Sequence, residues 1–296
     1  MKNSVSLYLM GLTWLNWRIA TISGANLLQQ PFNNTFKSRS LKAIDWCALN
    51  CPKGPNIACT LKGDCLTIAA PCQFLKLDKA RLLDLHNQLR NLFATGNEPQ
   101  AKGLQVADMM VVEWDDDLAF TASCNLKTCP SSMEHDTCHI TPNFMTSGQN
   151  LAWAAGVTDC SEQSLKMVHN WYNEVRELSA DQLHSWGKSF QFQSGTGHFT
   201  QLIWSKVTHI GCAAFEKDLE SGRKECMMAC NYGPTGNVLG RAMFKEGPPT
   251  SACPRGLVAN SKHAGLCGAA RRNRSFLEAV GAAFPCIVAL QRMFSG

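Results

Sequence analysis

A chain of 296 residues with 45% hydrophobic and 17% charged residues has the composition of a folded globular protein, which excludes general disorder. The formal net charge of +5 is modest, and the most visible basic cluster, Arg271, Arg272 and Arg274, is too short for a nucleic-acid surface. The 15 cysteines include no C-x-x-C pair and no C-x-x-C followed by H-x-x-x-H, which excludes the usual zinc finger or ribbon and leaves disulfides formed in an oxidising compartment.

At the N-terminus, Lys2, the apolar run 5–17 (VSLYLMGLTWLNW) and the small residues Ser23, Gly24 and Ala25 predict a signal peptide over 1–25 and hence export. The run is shorter than the roughly 20 apolar residues that a membrane span needs. Residues 26–46 have no periodicity and read as a linker or pro-segment. Asn33 and Asn273, in N-N-T and N-R-S, are candidate glycan acceptors. Over 47–76 the cysteines fall among Pro, Gly, Asn and Lys with few large apolar residues, so crosslinks must hold the segment.

The clearest helix spans 78–95. Asp78 caps it, Leu82, Leu85, Leu89, Leu92 and Phe93 form one apolar stripe, and Gly96 ends it. Its His86 has no acidic or cysteine partner one turn away and reads as a helix-face residue touching its neighbours. A second helix follows Trp114, with Asp115 to Asp117 at its first turn, where negative charge favours the dipole, and runs toward Cys124. A third spans about 161–178 on Leu165, Val168, Trp171, Tyr172 and Val175. Glu174 lies beside that stripe and needs a partner if it is buried.

In 195–207 (GTGHFTQLIWSKV) the residues Phe199, Leu202 and Ile203 predict a short helix with one buried face, while His198, Thr200 and Gln201 form a polar face without charge. Two antiparallel strands follow at 208–215 and 225–232, joined by a charged turn at Ser221 and Gly222 and stapled by Cys212 and Cys230. Pro248 and Pro249 mark a boundary, after which 248–296 is an extension ending in an apolar run, 276–294, broken by Pro285 and closed by Gln291 and Arg292. That run fits neither a membrane span nor a lipid anchor and reads as a poorly ordered appendage. The mixed order of helices and hairpin strands predicts a layered α+β domain over 77–247, not a doubly wound parallel sheet.

Two stretches carry a resemblance. GHFTQLIW (197–204) resembles the first signature of the CAP superfamily of cysteine-rich secretory, antigen 5 and pathogenesis-related proteins, and CNYGPTGNV (230–238) resembles the second. EHDTC (134–138), SGQNLAW (147–153) and GPPTSACPRG…LC (247–267) are most similar to the arthropod antigen 5 group. The resemblance implies an α-β-α sandwich around a small antiparallel sheet, and a cleft lined by His135, Gln149, Glu174 and His198, with Gln149 standing where the family pattern has a glutamate. Val207 departs from the Ser, Thr or Asn that usually closes the first signature and reads as a packing residue. The resemblance further implies the pairs Cys47 with Cys59, Cys51 with Cys138, Cys72 with Cys129, Cys212 with Cys230, and Cys253 with Cys267. Cys65, Cys124, Cys160, Cys226 and Cys286 are left without an implied partner, and Cys65 competes with Cys72 for one.

Functionally, the resemblance implies a secreted, monomeric binding protein for lipids, sterols or other small hydrophobic ligands, or for a cell-surface receptor, with no required cofactor and no nucleic-acid partner or membrane anchor. Two alternatives stand beside it. His135, Glu174 and His198 carry the ligand types that zinc prefers, so a divalent ion and metal-assisted hydrolysis with His198 or Glu174 as base is one, although neither G-x-S-x-G nor H-E-x-x-H occurs. The other is Lys62-Gly63-Asp64, set between Cys59 and Cys65, which resembles the integrin-binding tripeptides of disintegrins.

Overall fold

The computed structural model describes residues 44–268. The expected signal peptide, most of 26–46, the apolar run 276–294, both candidate glycan acceptors and Cys286 lie outside the described residues.

In chain order the strands β1 (Asn50–Cys51) and β2 (Gly54–Pro55) form a two-stranded ribbon, followed by helix α1 (Ile57–Thr60), β3 (Gln73–Phe74), α2 (Lys79–Ala94), β4 (Glu113–Trp114), α3 (Asp116–Leu126) and β5 (Gly148–Val157). Then come α4 (Cys160–Asn173), a 3-10 turn over Glu174–Glu177, α5 (Ala180–Trp186), α6 (Gly197–Leu202), the long strands β6 (His209–Asp218) and β7 (Lys224–Gly233), and a terminal ribbon of β8 (Val258–Ala259) and β9 (Cys267–Gly268). The central sheet runs β3-β6-β7-β5 with antiparallel neighbours, and β4 adds to β6 in parallel.

Side chains alternate across a strand, and here both faces are covered. Ile210, Cys212 and Ala214 of β6 and Met228, Cys230 and Tyr232 of β7 enter the main core with α2, α4 and α6. Phe215, Met227 and Ala229 point the other way and pack with Ala122 and Leu126 of α3. The result is the α-β-α sandwich. α3 lies so close to β6 that a β-carbon on Gly211 would stand 2.1 Å from the Ala119 nitrogen.

Local chemistry sets the helix ends. The Asp78 carboxylate accepts from the Arg81 N–H, and Gly96, at φ 76, lets the chain leave α2. Asp115 caps α3 by accepting from the Leu118 N–H at 2.8 Å. The expected third helix is shorter than its apolar stripe, because α4 ends at Asn173 and the chain tightens into the 3-10 turn that begins at Glu174.

Seven disulfides pair every cysteine among the described residues: Cys47–Cys59, Cys51–Cys138, Cys65–Cys124, Cys72–Cys129, Cys160–Cys226, Cys212–Cys230 and Cys253–Cys267. Cys65, Cys124, Cys160 and Cys226 therefore have partners. Cys65–Cys124 joins the N-terminal segment to α3, where Trp46 also stacks on Phe120 with ring centroids 5.2 Å apart. Cys160–Cys226 ties α4 to β7. The extension is seated on the domain, since Leu266 and Cys267 are fully buried and the Gly265 N–H donates to the Asn91 side chain of α2 at 2.8 Å.

Candidate functional site

The first signature folds as α6 because Phe199 and Leu202 bury one face completely while the N-terminus faces the end of α4. Thr196 occupies the N-cap position without a side-chain cap bond. The cap comes from another element. Glu174 Oε2 accepts from the backbone N–H groups of His198 at 2.9 Å and Phe199 at 3.0 Å, and Oε1 accepts from His198 Nδ1 at 2.5 Å. A carboxylate there meets unpaired N–H groups and the positive end of the helix dipole. This is the partner that the position of Glu174 demanded. Trp171 stacks on the His198 ring with centroids 6.0 Å apart and donates its indole N–H to the Leu151 carbonyl at 3.1 Å.

Gln149 on β5 builds a second cluster. Its Nε2 donates to Asp136 Oδ2 at 2.8 Å and Asn231 Oδ1 at 3.0 Å, which fixes the amide orientation. The opposite atom, Oε1, lies 2.9 Å from His135 Nδ1, so that nitrogen carries the proton. Asp136 also accepts from His139 Nδ1 at 2.5 Å and Asn125 Nδ2 at 3.1 Å. Burial pushes the Asp136 carboxyl up, but the hydrogen bond and charge of His139, with Gln149 and Asn125, outweigh it and hold the group below the usual carboxylate range. His139 Nε2 is buried without a partner.

Thr200 and Gln201 act on backbone, not on His198 directly. The Thr200 hydroxyl bonds back to the Thr196 carbonyl at 3.1 Å. Gln201 Oε1 accepts from the Gly236 N–H at 3.0 Å, and Asn237 Nδ2 donates to the Gly197 carbonyl at 2.9 Å, so the two signatures are stitched together. Under them runs a buried chain from the Leu82 carbonyl to His86, Tyr232, Asn150 and the His198 carbonyl. His86 thus contacts its neighbours from the buried face of α2, as expected, and burial pushes its imidazole down to about 4, helped by Arg90 and opposed by the Leu82 carbonyl. Arg90 is fully buried. Its guanidinium donates to the carbonyls of Met110, Leu202, Trp204, Ser205 and Val207, clamping the end of the first signature. Val207 is itself buried.

The metal expectation meets a different geometry. Among the described residues no three His, Cys, Asp or Glu side chains form a group that could hold a metal ion, so His135, Glu174 and His198 are not assembled as a ligand set. Glu174 instead accepts from the α6 backbone and from His198 Nδ1, and the Gln149 oxygen from His135 Nδ1. Lys62 and Gly63 do sit on a tight turn, at φ 54 and φ 75. Asp64, however, is bound to Lys127 Nζ at 2.6 Å and to the Thr67 hydroxyl at 2.6 Å.

Asp136, Asn231 and Arg90 hold these hydrogen-bonded groups together and were passed over by sequence reasoning. Asp136 stands next to His135 in EHDTC and Asn231 lies inside the second signature, so both had a signal in the quoted motifs. Arg90 had none, because an arginine on an amphipathic helix reads as solvated.

Among the described residues no helix is long and apolar enough to cross a membrane. The model of the cysteine-rich secretory protein (CAP) family matches residues 83–232. A cysteine-rich venom protein of Tityus serrulatus is 38% identical over 64% of this chain, which spans only 46% of that protein. A venom allergen 5 of Polybia paulista is 30% identical, with 68% of this chain matched to 98% of that protein. Among solved structures, Na-ASP-1 superposes with a TM-score of 0.51 at 24% identity, over 64% of this chain and 46% of that one. NaASP2 with Zn2+ gives 0.50 at 23% identity, over 68% and 100%. The two signatures, the sandwich that carries them and the family match together place this chain in the CAP family of cysteine-rich secretory proteins, among relatives of the venom allergen 5 type.

Proposed function

We propose that the chain is a secreted, non-enzymatic binding protein that takes a lipid or other small hydrophobic ligand at the rim of the His198 cleft. Phe192, Val238 and Leu239 carry this reading, with relative exposures of 59%, 38% and 66%. Exposed apolar side chains grouped in this way mark interaction surfaces. Phe192 lies against Gly197 at the start of α6, where a β-carbon would stand 3.1 Å from its ring. Backbone bonds from Phe190 to Arg241 and from Gly240 to Phe190 hold the two segments side by side. An apolar surface beside a few fixed polar groups suits such a ligand.

Seven disulfides and the venom-protein relatives support an extracellular setting. A receptor reading through Lys62-Gly63-Asp64 would require the partner to displace Lys127 from Asp64. The test is native mass spectrometry of the secreted protein before and after organic extraction, with a Phe192→Asp/Leu239→Asp variant alongside. A lipid mass retained by the parent and lost from the variant is the expected result. Absence of any lipid mass from the parent, or equal retention by both proteins, would overturn the reading.

A further inference from the structure

Among the described residues no three ligand side chains group to hold a metal ion, and the glutamine that stands at position 149 where the family pattern has a carboxylate has a definite residue behind it. The side of the cleft around His135 has a second carboxylate, Asp136, 2.8 Å from the Gln149 nitrogen. The three groups touching Asp136 (His139 Nδ1, Gln149 Nε2 and Asn125 Nδ2) all serve it as donors. Its side chain is only 6% exposed and that of His139 11%. A carboxylate at the half-buried position 149 would face the buried Asp136 carboxylate at hydrogen-bond distance, and like charges at this range strongly disfavour joint ionisation. Asn231 enforces the same choice, because its Oδ1 also needs a donor from position 149 and its Nδ2 is committed to Thr121 and the Leu118 carbonyl.

The geometry points to Asp136 as the residue that decides which side chain this part of the site accepts at position 149: by demanding a donor there it makes Gln149 obligatory and keeps a carboxylate from standing beside His135. The negative charge that the family pattern puts at position 149 is carried here at position 136, where His139, Asn125 and Gln149 donate to it. The inference is independent of what the apolar rim takes.

A double-mutant cycle tests it, with thermal unfolding of the intact, oxidised protein as readout and Gln149→Glu, Asp136→Asn and the double variant compared with the parent. Gln149→Glu should lower Tm sharply or prevent folding. Asp136→Asn should lower it less, because the amide can still meet most of its neighbours. The double variant should recover much of what Gln149→Glu loses, since the amide then standing at position 136 donates to the new carboxylate at position 149. A Gln149→Glu protein as stable as the parent, or a double variant no better than Gln149→Glu alone, would overturn the assignment.

Discussion

Replacing Glu174 with glutamine tests whether this carboxylate serves the backbone of α6 more than it serves His198. In the folded protein it accepts two N–H groups, at 2.9 and 3.0 Å, and one imidazole N–H at 2.5 Å, with its side chain 19% exposed. Hydrogen bonds to a charged group contribute about 1.5–3 kcal/mol each, and a charge at a helix N-terminus adds about 0.3–1 kcal/mol. Glutamine keeps one acceptor and turns an NH2 group toward a donor, so about 2–3 kcal/mol should be lost. For a molecule of this size that lowers Tm by about 4–12 °C. His198→Ala removes the pair and the stacking on Trp171, but from an imidazole that is 36% exposed, and should cost about 1 kcal/mol. Scanning calorimetry of both variants at neutral pH reads the order. If His198→Ala is as damaging as Glu174→Gln, or if Glu174→Gln stays within about 0.5 kcal/mol of the parent, the interhelical cap is not what the carboxylate provides.

Gly211→Ala should cost about 3 kcal/mol or more, because the new β-carbon meets backbone of α3 at Ala119, Asp115 and Leu118, which cannot swing aside as a side-chain tip can. A urea midpoint equal to that of the parent would show that α3 can shift on the sheet without penalty. The buried His86 makes stability depend on pH. An unfolded chain takes up a proton as pH falls through about 6.5, while the folded imidazole stays neutral until about 4, so stability is intact above 6.5 and declines by roughly 3 kcal/mol as pH drops across that window. His86→Gln should flatten that stretch of the urea-midpoint profile, and an unchanged slope would assign it to other groups.

How much could be read in advance depended on whether the signal was local. The α2 stripe, its Asp78 cap and its Gly96 exit follow from spacing alone, and the β6–β7 hairpin follows from its flanking turn and strand-like composition. In the hairpin Cys212 and Cys230 stand directly opposite in register. β5 was not legible as a strand. Its sequence, GQNLAWAAGV, is rich in Gly and Ala, which have little intrinsic preference for strands, and it is held extended by pairing with β7. Cys160–Cys226 and Cys65–Cys124 were hidden for a similar reason, since each joins segments that approach only after the sandwich has closed. In the site, His135, Gln149, Glu174 and His198 were found through motifs, but their division into two hydrogen-bonded groups was not. That division depends on Asp136 and on the N-terminus of α6, and both act through geometry that spacing does not encode.

The bridge from Cys51 to Cys138 also governs what proteolysis can achieve. Residues 131–135 are exposed and lie between two bridged cysteines, Cys129 and Cys138. A cut there leaves Cys72–Cys129 and Cys65–Cys124 within the N-terminal fragment, and Cys160–Cys226, Cys212–Cys230 and Cys253–Cys267 within the C-terminal one. Among the described residues only Cys51–Cys138 crosses the nick. The clipped molecule therefore migrates as one species on a gel until a reductant is added, and His135 stays tethered within a few residues of an anchored end.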